Sequence, residues 1–158
     1  MPTAKRSADR LVASDDRVLT ITRIFDAPRA RVFQAFIDPE QVMQWMGPRS
    51  HPIFEMRADI RPGGKWRFGL RSVDGEEELW QSGTYREIVP NQKLVFSFVW
   101  DPTPRKLGPE TLIEITFADQ GKKTLMTFRQ SVFDSTDNCD SHRVGWNSAF
   151  DRLDDLFA

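Results

Sequence analysis

The 158-residue chain is long enough for one domain with its own core, and its 22 basic and 23 acidic residues leave a formal charge of -1. So even a balance excludes binding driven by bulk charge, which sets nucleic acid and anionic membranes aside as main partners. The single cysteine, Cys139, excludes an internal disulfide and suits a reducing compartment, so the cytoplasm is the expected location.

Residues 1–16 include Lys5, Arg6 and Arg10 but lack the apolar run of a signal peptide. They read as a flexible polar tail ahead of a single domain over 17–158. No stretch approaches the roughly 20 apolar residues that a membrane span needs. Arg17 to Phe25 is rich in β-branched residues and predicts a strand, which Asp26-Ala27-Pro28 closes while opening a helix. Val32, Phe33, Phe36 and Ile37 then recur at helical spacing, and Asp38-Pro39 divides this helix from a second short one that reaches Trp45.

Gly47-Pro48 ends the helical pair, and Ile53 to Ile60 predicts a strand that stops at the turn Arg61-Pro62-Gly63-Gly64. Lys65 to Val73 alternates, with Trp66, Phe68 and Leu70 on one face and Lys65, Arg67 and Arg71 on the other. Asp74-Gly75 is a hairpin dipeptide, after which Glu78 to Val89 forms the next strand. Lys93 to Trp100 gathers Leu94, Phe96, Phe98 and Trp100 on one face. Asp101 to Pro109 is Pro-rich and reads as a loop, and Thr111 to Phe117 pairs with Thr124 to Val132 across a turn at Asp119 to Lys122. Beyond the N-cap candidates Ser135 and Thr136, an amphipathic helix runs from about Asn138 to Phe157, with Val144, Trp146, Ala149, Phe150, Leu153, Leu156 and Phe157 recurring every three or four residues. Strands in succession without a βαβ alternation predict an α+β fold, an antiparallel sheet packed on one face by helices.

Several short pieces occur in a distinctive order: Phe25-Asp26-Ala27-Pro28, Asp38-Pro39 before Trp45, Gly47-Pro48, Asp59 to Gly64, Gly83 to Pro90, and Gly145-Trp146. In that order they resemble the START-like superfamily, also called SRPBCC or birch-pollen-allergen-like, over about Arg17 to Phe157. Within it the chain looks most like the activator of heat shock protein 90 ATPase homologue-like domain. Where that family often shows two adjacent tryptophans before the Gly-Pro, this chain has Trp45-Met46. The resemblance implies a helix-grip fold, a curved antiparallel sheet of about seven strands around the long C-terminal helix, with a hydrophobic cavity between them. Members range from lipid carriers to polyketide cyclases, and many small bacterial ones have no assigned role.

On that expectation Trp66, Phe68, Phe96, Phe98 and Trp100 line the cavity from the sheet, and Trp146 and Phe150 face them from the helix. The alternative is that they fill the core. Trp80 joins the candidates from a strand of mixed faces, and Trp45 is either a lid at the mouth or helix packing. The ligand expected is a small hydrophobic molecule, lipid or polyketide-like, with no cofactor, no metal and no catalytic residue assigned. A cyclase-like or aromatase-like enzyme using the same cavity and a chaperone-related interaction module are the alternatives, and the resemblance permits a homodimer.

Candidate polar groups are few. His51 and His142 offer acid or base chemistry, though His51 reads as a solvated loop residue. Cys139 and His142 at i, i+3 offer only half of a zinc site, and no second Cys/His pair completes it. Arg67, Arg71, Arg86 or Arg129, if turned inward, would hold an anionic head. Ser82, Tyr85 and Gln130 are candidates for single hydrogen bonds, and Glu76-Glu77-Glu78 reads as a solvated hairpin shoulder.

Overall fold

A computed structural model describes residues 17–102 and 110–158. The expected tail over 1–16 and most of the expected 101–109 loop lie outside the described residues. Strands β1 (Leu19–Phe25), β2 (Ile53–Ala58), β3 (Lys65–Arg71), β4 (Glu78–Val89), β5 (Lys93–Trp100), β6 (Thr111–Gln120) and β7 (Lys123–Ser131) form one sheet in the order β1-β7-β6-β5-β4-β3-β2. Every neighbouring pair is antiparallel. Helices α1 (Arg29–Ile37) and α2 (Pro39–Trp45) follow β1, and α3 (Thr136–Phe157) closes the chain. This is the α+β helix-grip arrangement that the family resemblance implies.

Local chemistry sets the boundaries. Asp38 is held extended before Pro39, as a pre-proline residue must be, so α1 stops there. The same Asp38 caps α2, its carboxylate accepting from the Glu40 backbone N–H at 3.2 Å. Ser135 caps α3 by accepting from the Asn138 N–H at 3.1 Å, so the helix starts two residues earlier than its apolar periodicity shows. A bulge at the Tyr85/Glu87 step of the β4–β5 pairing bends the sheet around the helix.

The core lies between the sheet and the three helices. Phe150 on α3 is fully buried and meets Phe25, Phe128 and Trp45 at ring distances of 6.4, 5.4 and 6.2 Å. Burying a side chain of this size contributes roughly 1.5–3 kcal/mol. It anchors the C-terminal half of α3. Arg152 adds a polar fastening, donating to the carbonyls of Gln44, Met46 and Gly47 at 2.9–3.0 Å. These are the orphan carbonyls at the end of α2 and just beyond, so α3 terminates α2 and fixes the segment that follows it.

Candidate functional site

A cleft of about 700 Å³ lies between the N-terminal half of α3 and the sheet. The helix supplies Ser141, His142, Val144, Gly145, Trp146, Ser148 and Ala149 to one wall. The sheet supplies Leu70 from β3, Leu79 and Gln81 from β4, and Phe98 and Trp100 from β5. The segment Met46 to His51, together with Glu77, forms the rim. Gly145 helps to hold the space open, because a Cβ placed on it would meet nothing within 4 Å.

Of the residues singled out from the sequence, Phe98, Trp100 and Trp146 come together on the cleft. Trp66, Phe68 and Phe96 sit behind them, Trp66 lying 4.8, 5.7 and 5.8 Å from the rings of Phe68, Phe96 and Phe98. Trp45 and Phe150 are fully buried core, and the Trp45 indole donates to the Ala35 carbonyl at 2.9 Å. Trp80 points to the opposite face of the sheet from its neighbours Leu79 and Gln81, where it packs edge-on to Phe54 and under the Arg67 guanidinium. Alternation alone does not reveal which face of a strand is concave, and Trp80 shows the consequence.

The aromatic wall is pinned by hydrogen bonds. The Trp146 indole donates to Gln130 Oε1 at 2.9 Å, Gln130 Nε2 donates to Thr111 Oγ1 at 2.8 Å, and Thr111 Oγ1 donates to the Phe98 carbonyl. This buried chain runs from the helix across β7 and β6 to β5. The Trp100 indole donates to His142 Nε2 at 2.8 Å, and His142 Nδ1 lies 2.8 Å from the Asn138 carbonyl. An indole only donates and a carbonyl only accepts, so His142 is neutral with its proton on Nδ1. Phe133 covers its ring at 4.7 Å.

The strand arginines turn away from the cleft. Arg67 forms a two-point pair with Asp101 at 2.7 and 2.9 Å, which holds the Asp101 carboxyl below its ordinary pKa. Arg71 lies over the Phe54 ring and pairs with Glu78, while Arg86 and Arg129 are exposed. At the rim, Arg49 pairs with Asp155 at 2.9 Å, and its backbone N–H donates to Ser148 Oγ.

Glu77 and His51 depart from the sequence expectation. Rather than two solvated groups, they form a pair at the cleft mouth, with His51 Nε2 2.8 Å from Glu77 Oε1 and Ser50 Oγ 2.9 Å from His51 Nδ1. In neutral His51, Nε2 donates to the carboxylate and Nδ1 accepts from the serine. His51 and Glu77 lie 26 positions apart with two strands between them, so no local signal marks the pair. Among the described residues no group of three or more His, Cys, Asp or Glu side chains is placed to hold a metal ion, and no helix is long and apolar enough to cross a membrane.

A helix-grip sheet with a cleft under the N-terminal half of its long helix narrows the comparison to related folds. Residues 26–158 match the family described as activator of Hsp90 ATPase homolog 1-like protein. The chain belongs to this family. Among solved structures, this Hsp90-activator-like domain is similar to a Mycobacterium smegmatis protein at 25% identity and a TM-score of 0.77, covering 92% of this chain and 93% of that one. A Rhizobium leguminosarum protein is 27% identical with a TM-score of 0.69, covering 89% and 92% respectively. The AHSA1 protein from Silicibacter pomeroyi, at 20% identity and a TM-score of 0.78 over 88% and 96%, shares the fold. No curated protein matches the chain significantly. A shared fold does not by itself select an activity.

Proposed function

We propose that this domain binds one small, predominantly apolar molecule in the cleft between α3 and the sheet. The observation that carries the reading is the cleft itself. About 700 Å³ of space falls in the usual range of small-molecule sites, and Phe98, Trp100 and Trp146 face it from two walls. Leu70, Leu79 and Met46 complete an apolar lining, and a few polar groups are set among them. The test is to identify small molecules that co-purify with the protein and to follow tryptophan fluorescence while titrating lipids, fatty acids and aromatic polyketides. A saturable response that disappears in a folded Trp146→Ala protein supports the reading. No bound molecule and no response across the panel sink it, and shift weight to the protein-partner role that the family description suggests.

The His51–Glu77 pair favours a second reading, a cyclase-like enzyme that moves a proton at the cleft mouth. Conversion of a bound polyketide-like compound, lost in His51→Gln and retained in His142→Gln, distinguishes it from simple binding.

A further inference from the structure

Two glutamines are buried in this domain, and they are treated differently. Gln130 is fully buried and both ends of its amide are bonded, Oε1 accepting from Trp146 and Nε2 donating to Thr111. Gln81 is only 4% exposed, yet its side chain makes no hydrogen bond among the described residues. It faces the cleft between Leu79 on its own strand and Trp100 directly opposite on β5. Its amide is not sealed off, since the one sealed, unbonded side-chain polar atom among the described residues is Trp66 Nε1. The little surface Gln81 keeps therefore opens into the cleft.

An unbonded amide in such a place is unfavourable in a purely apolar site, and substitution by an apolar residue of similar shape would relieve it. A ligand that completes its hydrogen bonds relieves it equally. The charged residues of the described lining are already engaged at the rim, Arg49 with Asp155 and Glu77 with His51. No described cation stands beside Gln81 to balance an anionic head. The surfaces near the amide are flat, with the Trp100 ring across from it and Phe98 5.5 Å from Trp100.

We infer that Gln81 is the polar anchor of the cleft and selects an uncharged, planar, mostly apolar ligand that carries an amide or a hydroxy-carbonyl group. The ligand carbonyl accepts from Gln81 Nε2, and the ligand N–H or hydroxyl donates to Oε1. Simple fatty acids, whose head is a carboxylate, are disfavoured. This rests on the ligand-binding reading above and gives it a chemical class.

The experiment uses the full chain and three probes with one skeleton: 1-naphthamide, 1-naphthoate and 1-methylnaphthalene. Affinities are measured by calorimetry, and the Gln81 side-chain amide signals are followed by NMR. Naphthamide is expected to bind about tenfold more tightly than either other probe, the value of one well-formed hydrogen bond, and to shift those signals. Gln81→Leu is expected to remove that preference and leave methylnaphthalene binding unchanged or improved. Gln81→Glu, which keeps the length but removes the amide donor, repeats the test if the leucine protein fails to fold. Equal affinities for the three probes, preference for naphthoate, or naphthamide binding indifferent to both substitutions overturns the role of Gln81 and leaves the cleft reading standing. Failure of all three probes alongside a saturable lipid response does the same. No response to any probe or lipid overturns both.

Discussion

Trp100 at the end of β5 and His142 in the second turn of α3 are joined by a 2.8 Å hydrogen bond in which the indole donates to Nε2. The bond ties the N-terminal half of the helix to the sheet, and the Asn138 carbonyl fixes the imidazole tautomer. Long-range ¹⁵N–¹H spectra are expected to show His142 protonated on Nδ1 alone. Trp100→Phe is expected to release that restraint and cost about 1 kcal/mol for the lost bond, besides the smaller ring, read by denaturant unfolding.

Gly145 lies on the cleft side of a helix, where glycine is a poor choice for the backbone. Since a Cβ there has open space, Gly145→Ala is expected to stabilise the protein by about 0.5–1 kcal/mol in thermal or chemical unfolding. Gly145→Leu is expected to fold as well, fill the cleft and abolish saturable ligand binding. If both variants bind ligand as well as the parent, the ligand does not occupy this space.

Trp66 and Trp146 are both buried, but only one indole N–H is bonded. Trp146 donates to Gln130, whereas Trp66 Nε1 has no partner among the described residues and lies over Gly83, where a Cβ would approach it to 2.7 Å. Trp146→Phe strands Gln130 Oε1, so it is expected to cost about 1–3 kcal/mol more than Trp66→Phe, which removes an unsatisfied donor. Equilibrium urea unfolding of the two variants decides this. Gly83→Ala is expected to be severely destabilising, since its methyl would collide with the Ser97 carbonyl of the neighbouring strand.

Tyr85 is the single tyrosine of the chain, so its phenolate absorbance can be followed without overlap. Burial pushes its pKa up to about 12, because the anion would lose its hydration. The folded state therefore holds the phenol proton more tightly than the unfolded chain does. The resulting stability is fully present below the ordinary value of about 10 and is lost as pH rises through about 12. A spectrophotometric titration near 10 in the native protein would contradict this environment.

The fold was legible because its signals are local. Period-two alternation marks β3 and β5, Asp38-Pro39 separates the first two helices, and one amphipathic stretch gives α3. The site was legible only in part. Phe98, Trp100 and Trp146 were identifiable as large side chains on apolar faces, but Trp80 belongs to the opposite face of the sheet and Trp45 and Phe150 to solid core. Space is a property of how elements stand apart, and residue types do not report it. The polar groups of the cleft, Gln81 and the His51–Glu77 pair, are ordinary residues whose placement there depends on burial and long-range proximity.

The two halves of α3 have unequal attachments. Beyond Gly145, Ala149, Phe150 and Leu153 are buried in the core and Arg152 grips the end of α2. Before it, Cys139 and His142 are buried, while Val144 is 70% exposed. Amide exchange with solvent should therefore proceed as two populations along one continuous helix, with the segment from Thr136 to Gly145 opening in excursions that leave the remainder protected. A molecule lodged beneath that segment would slow its exchange selectively, so the helix itself can serve as a residue-by-residue gauge of occupancy.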